Sequence, residues 1–483
     1  MIRPDLQLCF GGRNVSYDAA SSHFLICGAT NSGKTLMIRL LLQSVLGAWT
    51  MDRVPTRLLV YDAKRELLPI LHGMFEHLGR TDAIEKIVLL NPFDSRSIAW
   101  DVAADITSTG HALELASIMI PSEQGSGRYW SDGARMVVAG VIDAFILAGR
   151  PWTLGDVCRA VENLENLNAV VGRRLETVRV LESMGSEQTQ TNLFSTINVY
   201  LAPFRILAAL WDRAESKISL RRWLRERDGV LVLGSSQTAA TAIAAANRLL
   251  FQRVTQIILD ELPELAPDDP SKTWIVLDEF VRIGRLDGMT DAATMGRSKG
   301  LAVVLSLQDI DGMRAVYGRE ATNEILGQFS NIGLLRLNSV ETARWAADVV
   351  GAYRAIEQRD GIREGLSVGN EISIQRGSDS TLSMVDRPAL LPSYFQRLPL
   401  VKRSAGIHGL FVSPNWIGGE YEAAEVFVSK DWMFRDGFIW PTSNVPGFVS
   451  RPEEASRLKP WTRADMVRLN LGAIGQATAA RKG

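Results

Sequence analysis

Short apolar runs alternate with helix-length amphipathic segments along the first hundred residues. Ser22-His23-Phe24-Leu25-Ile26-Cys27 reads as a buried strand that leads straight into a glycine-containing loop. A helix is expected from about Thr35 to Leu46, with Leu36, Leu40 and Val45 among its apolar positions. Arg57–Asp62 and Lys86–Leu90 read as two further strands. Strands separated by helices require right-handed crossovers and give a parallel sheet. The period then changes. From about Asp101 to Asp212 the pattern is helical, with no convincing strand. One helix is expected to begin near Ser131, with Asp132 in its first turn, Val137, Val141 and Ala144 on one stripe, and Phe145 beside it. Thr153 is placed to N-cap another. Strands return at Gly229–Gly234, Trp274–Asp278, Leu301–Ser306 and Ile332–Leu337. Such short, wholly apolar runs are how strands covered on both faces read.

The expected architecture is therefore α/β: a mostly parallel sheet interrupted by an inserted all-helical domain. The division expected is 1–100 for the first part of the sheet domain, 101–212 for the insertion, 213–430 for the second part and 431–483 for a C-terminal extension. The stretch from Tyr353 to Arg387 is polar and glycine-containing, which suggests loops or a weak hairpin. The tail from about Lys430, rich in Trp and Pro, fits no element pattern.

Composition adds limits rather than identity. The chain has 483 residues, enough for two to four domains. Apolar residues at 46% and charged residues at 22% are ordinary for a folded soluble protein. The net charge of −1 gives no global attraction to nucleic acid, so any such contact must come from a local patch or channel. Cys9, Cys27 and Cys158 are far apart and fit no metal spacing, and are read as reduced cytosolic thiols. The five histidines form no metal motif either. Met1–Phe10 lacks the apolar stretch of a signal peptide. The best membrane window, Val137–Leu147, falls short of the about 20 residues a span requires and contains Asp143. The expected location is the cytoplasm.

Candidate chemistry is concentrated in a few places. Gly28-Ala29-Thr30-Asn31-Ser32-Gly33-Lys34-Thr35 matches G-x-x-x-x-G-K-[ST] between a strand and a helix. Gly28 and Gly33 allow a tight turn whose N–H groups, with the helix N-terminus, surround phosphate oxygens. Lys34 would place its charge on the β- and γ-phosphates, and the Thr35 hydroxyl would ligate Mg²⁺. The sequence is thus that of a P-loop NTPase, with ATP and Mg²⁺ expected. Thr273–Phe280 delivers two adjacent carboxylates to the end of a strand. Asp278 would hold Mg²⁺ directly or through water, and Glu279 would act as general base on the attacking water. Gln308 ends the strand that should emerge beside them; it either senses the γ-phosphate and water or simply sits in a turn. Arg297, in a basic turn before that strand, is either solvated or an arginine finger for a neighbouring subunit. Asp62 and Lys64 either support the phosphate site or line a surface. Arg282, Arg285 and Lys299 are expected to lie near the active-site edge.

Several stretches, in order, resemble the TraG/TraD-type coupling proteins of conjugation and type IV secretion. They are Cys27–Thr35, Tyr61-Asp62-Ala63-Lys64, Asn91-Pro92-Phe93-Asp94, Tyr129–Arg135, Leu277–Phe280, Gly296–Gly300 and Ser306-Leu307-Gln308-Asp309. The resemblance, covering about His23 to Leu400, implies a RecA-like motor with an inserted helical domain, a homo-hexameric ring and DNA threaded through its pore without sequence readout. It implies that Arg297 acts in trans and that Gln308 couples hydrolysis to movement. Relaxosome or secretion-channel proteins are the implied partners. Family members usually carry N-terminal membrane helices, whereas here the motor pattern begins almost at once, so the expectations are a separate membrane-anchoring subunit with this chain peripheral at the inner membrane, a soluble homologue, or a shortened chain. Two other functions fit less of the pattern: a protein-substrate receptor or adaptor, and a ring ATPase of DNA segregation or defence.

Overall fold

The computed structural model describes residues 6–471, apart from 52, 172–186, 227, 267–268, 369–371, 403–405, 415, 417–423, 429–438 and 453–455. Strands β1 (Gln7–Phe10) and β2 (Arg13–Ser16) form an antiparallel hairpin. The central sheet contains β3 (Phe24–Cys27), β4 (Thr56–Tyr61), β5 (Ile87–Leu90), β8 (Gly229–Leu233), β9 (Lys272–Leu277), β10 (Leu301–Leu307) and β11 (Asn331–Leu334). These seven strands are parallel to one another. β14 (Ile407–Val412) and β15 (Ala424–Val428) add an antiparallel edge. The full order is β15-β14-β11-β3-β10-β9-β4-β8-β5.

Alternation along each strand sends neighbouring residues into two separate cores. Phe24, Ile26, Leu58, Val60, Trp274, Val276 and Val304 face the helices Lys34–Thr50 and Leu67–His77. Leu25, Cys27, Leu59, Ile275, Leu277 and Leu305 face the helical block and the helix Ala240–Gln256. Both faces are covered, which is why these strands show unbroken apolar runs.

Among the described residues between β5 and β8, the regular structure is almost entirely helical. A short parallel pair closes the neck of this block: β6 (Ala99–Trp100) with β7 (Lys217–Ile218). Asp105, fully buried, locks the neck by accepting from Trp100 Nε1 at 2.6 Å, Ser219 Oγ at 2.6 Å and Leu220 N at 2.7 Å. The helix expected near Ser131 starts earlier, at Arg128, and runs to Ala148. Its apolar stripe lies as expected, with Val137, Val141, Ala144 and Phe145 buried. Ser131 instead fastens the preceding loop, its hydroxyl accepting from Glu123 N at 3.1 Å. Thr153 does cap the helix Leu154–Ala160, in a reciprocal box with Asp156. The most membrane-like segment is not Val137–Leu147 but Gln188–Trp211, the one described helix long and apolar enough to cross a membrane. Its Leu193, Ile197, Leu201, Phe204 and Leu207 are buried in the helical core.

The described residues of the stretch 353–387, expected as loops or a weak hairpin, lie in a long two-stranded ribbon of β12 (Ala352–Val368) and β13 (Ile372–Pro388), paired from Ala352↔Pro388 to Val368↔Ile372. The sequence lacks the apolar alternation that marks a half-buried strand, so only backbone pairing reveals it. Lys430, the expected start of the tail, lies outside the described residues. The described part of that tail runs back over the molecule. Trp440 N donates to Gln43 Oε1 at 3.3 Å, Arg451 donates to the Asp94 and Ser97 carbonyls, and Trp461 Nε1 donates to Asp156 at 2.9 Å.

Candidate nucleotide site

β3 ends at Cys27 and the helix Lys34–Thr50 begins seven residues later, so the intervening loop sits at the carboxyl edge of the sheet. Two positions explain its composition. Gly33 has φ of 108°, and a Cβ there would press on Ile407 and Val401 at under 3 Å. A Cβ on Gly28 would meet Ser32 Oγ at 2.4 Å. Gly28 N donates to Leu307 O at 3.0 Å and Ala29 N to Arg336 O at 2.7 Å, which pins the start of the loop to β10 and to the segment after β11. The helix ladder begins with Met37 N donating to Gly33 O. First-turn amides ahead of it have no carbonyl partner within the helix and suit an anion.

Lys34 is buried, with Nζ donating to Gly28 O at 2.6 Å and Ala29 O at 3.2 Å. Burial pulls its pKa down, against the pull of Glu279 in the opposite direction. β9 lies one strand away from β3, across β10, and carries Asp278 and Glu279 to the same edge. Thr35 Oγ1 donates to Asp278 Oδ2 at 3.2 Å. Ser306 Oγ donates to Asp278 Oδ1 at 2.6 Å and accepts from Glu279 N at 3.0 Å. Glu279 has a left-handed backbone, φ 53°, which turns its carboxylate back toward the loop. There it meets Gln308 Nε2 at 2.7 Å, Lys64 Nζ at 3.1 Å and Lys34 Nζ at 3.9 Å. Burial raises the Glu279 pKa, but Lys34, Lys64 and Gln308 outweigh it and hold the carboxyl below the usual range.

The structure thus gathers Gly28 to Thr35, Asp278, Glu279 and Gln308 into one cluster. Thr35 and Asp278 converge as hard oxygen donors of the kind Mg²⁺ takes. Lys64 belongs to the cluster, whereas Asp62 does not: its carboxylate accepts from Glu66 N at 2.9 Å and Leu68 N at 3.0 Å, capping the next helix. Ser306 was missed as a site residue, since nothing local distinguishes a serine inside a strand until its neighbouring strand is known. Arg297 is not brought to this cluster. It is exposed at the opposite end of β10, whose seven residues span roughly 20 Å. Lys299 shares that far end and donates to Leu262 O at 2.9 Å, which corrects its expected place at the active-site edge. Arg285 pairs with Asp287 at 3.0 Å. Cys27 is fully buried in the core, its thiol pushed up to about 12 by burial.

Asn91-Pro92-Phe93-Asp94 serves as an anchor outside the cluster. Asp94 N donates to Asn91 O at 2.8 Å, and the Asp94 carboxylate accepts from Val449 N at 3.0 Å, holding the C-terminal segment.

Comparison with known proteins matches this arrangement. Residues 7–410 fit the type IV secretion-system coupling protein DNA-binding domain. The coupling protein TraD of Escherichia coli (strain K12) is 20% identical over 387 residues, 77% of this chain and 50% of that protein. The conjugal transfer protein TraG of Escherichia coli is 22% identical over 418 residues, 79% of this chain and 63% of that one. The chain therefore spans between half and two thirds of the length of these relatives. Among solved structures, the conjugative coupling protein TrwBdeltaN70 in an unbound form superposes with a TM-score of 0.67 at 19% identity, covering 93% of this chain and 92% of that one. TrwB in complex with ADP and Mg²⁺ gives 0.64 at 18% identity, covering 93% of each chain. With its RecA-like P-loop fold and a family match over most of its length, this chain belongs to the type IV secretion-system coupling proteins.

Proposed function

We propose that this chain is an ATP-driven DNA translocase that recruits DNA, or a DNA–protein substrate, to a conjugative type IV secretion channel. The observation that carries the reading is the convergence of Lys34, Thr35, Asp278, Glu279 and Gln308 at the sheet edge of a chain with this family match. In this reading Gly28 to Thr35 bind the triphosphate. Lys34 leaves the loop carbonyls for the β- and γ-phosphate oxygens. Glu279 takes a proton from the attacking water, and Gln308 holds the carboxylate in line for it. Thr35 and Asp278 would hold Mg²⁺, which supplies charge neutralisation on the phosphates when bound. The motor would comprise 1–100 and 213–430, with 101–212 inserted and 431–483 as an extension. Six copies would form a ring, Arg297 would serve the neighbour's nucleotide, and relaxosome or channel proteins and a membrane-anchoring subunit would be partners.

ATPase activity measured with and without DNA, with oligomer mass recorded in both, tests the reading. Strong stimulation by DNA is expected, and Lys34→Ala should lower turnover by about a hundredfold or more while leaving the fold intact. Full turnover in Lys34→Ala would overturn the site assignment. Hydrolysis indifferent to DNA would favour the protein-adaptor reading.

A further inference from the structure

Beside the nucleotide cluster, at the carboxyl ends of β4 and β8, lies an open cleft of about 2100 Å³. None of Gly28 to Thr35 lines it. It is larger than the several hundred to about 1,000 Å³ of a typical small-molecule site. Among the described residues its lining includes seven Lys or Arg side chains and a single carboxylate, Glu66. Arg282, Arg457 and Lys459 are exposed there. Two half-buried aromatic rings stand among the cations: Phe93 and Phe448, the latter with the Arg65 guanidinium 3.8 Å above its ring. Cations suited to phosphates, interleaved with rings suited to bases, are the chemistry of a single-stranded nucleic-acid groove rather than of an acidic peptide site. One cation belongs to both places. Lys64 lines the cleft, and its ammonium is 3.1 Å from the buried carboxylate of Glu279.

We propose that this cleft binds the backbone of a DNA strand, and that Lys64 is a positioning residue that restrains Glu279 until a strand phosphate draws it away. The proposal rests on the motor reading above and names the contact through which DNA controls hydrolysis. The chemistry is a competition for one ammonium. While Lys64 holds Glu279, the orientation of the carboxylate is shared among Lys34, Lys64 and Gln308. A phosphate in the cleft gives Lys64 another partner. Glu279 then keeps Gln308 and faces Lys34. Released from Lys64, the carboxylate is free to turn to the attacking water, within whose reach a general base must stand.

The experiment uses the full chain, an oligo-dT strand of about 30 nucleotides, and polyglutamate as the contrasting polyanion. In Lys64→Ala, kcat without DNA should rise about fivefold, DNA stimulation should fall below about twofold, and KM for ATP should hold. Lys64→Arg should restore stimulation. Independently, Arg457→Glu with Lys459→Glu should raise the half-saturating DNA concentration about tenfold or more and flatten its salt dependence. A wild-type stimulation ratio in Lys64→Ala, outright loss of its activity, unchanged half-saturation in the charge-reversed cleft, or equal stimulation by polyglutamate would each overturn the proposal and leave the motor standing. Absence of DNA stimulation in the wild type would instead remove the motor reading, and this one with it.

Discussion

His23 shows how a single buried side chain ties the sheet together at the residue scale. It is 2% exposed and immediately precedes β3. Its Nδ1 accepts from Val303 N at 3.2 Å, so the proton resides on Nε2, which donates to Ala293 O at 3.0 Å. Burial lowers its pKa, and the nearby Arg297 charge lowers it further, against the carbonyl of Ala293. A depressed folded-state pKa means that the unfolded chain binds the proton more readily. Stability is therefore complete above the ordinary histidine pKa of about 6.5 and is lost as pH falls toward the folded value. Melting temperature measured between neutral and mildly acid pH should decline in the wild type, and part of that slope should vanish in His23→Leu. An unchanged slope would remove His23 from the account.

At the scale of elements, the helix Leu154–Ala160 is the point where the helical block and the C-terminal segment meet. Asp156, fully buried, caps that helix through Thr153. It also accepts from Trp461 Nε1 at 2.9 Å and from Arg468 at 2.9 and 3.1 Å. Removing one partner of a buried ionic network strands the others, at a cost of about 3–5 kcal/mol. Asp156→Ala should therefore release the segment around Trp461 to limited proteolysis and lower the melting temperature, whereas Asp156→Asn should fall between. Equal protease resistance in Asp156→Ala would show that the segment is held by its contacts near Gln43 and Asp94 instead. Thr153 was legible as a cap because capping is local in sequence. The bond from Trp461 to Asp156, 305 residues apart in the chain, was not.

For the whole molecule, strand direction decides what one subunit can do by itself. All seven parallel strands point their carboxyl ends at the nucleotide cluster, so Gln308 and Arg297, at the two ends of β10, are forced apart. An arginine there cannot serve its own P-loop. If it serves a neighbour, Arg297→Ala alone should lower hydrolysis by about 10³-fold, the order of an arginine finger's effect. Mixed with Lys34→Ala, part of the activity should return, because some interfaces then pair an intact loop with an intact arginine. No recovery in mixtures shown by mass to co-assemble would count against action in trans, though not against ATP turnover.

Much of the fold was written locally. The loop Gly28–Thr35 is legible because one turn requires its glycines and one ligand its lysine and hydroxyl, all within eight residues. The strands were legible because burial on both faces demands unbroken apolar runs, and the stripe Val137, Val141 and Ala144 because a helix repeats every 3.6 residues. Asp278, Glu279 and Gln308 could be placed at one edge because parallel strands share a direction. Tertiary structure alone decided which strands are neighbours. The order β3-β10-β9-β4 sets Ser306 against Asp278 and Lys64 against Glu279, and pairing between strands leaves no trace within either strand. It decided too that the polar stretch 353–387 forms a ribbon, since backbone hydrogen bonds require no apolar pattern. And it placed basic residues from distant parts of the chain around one cleft, a concentration of charge that a net charge of −1 conceals.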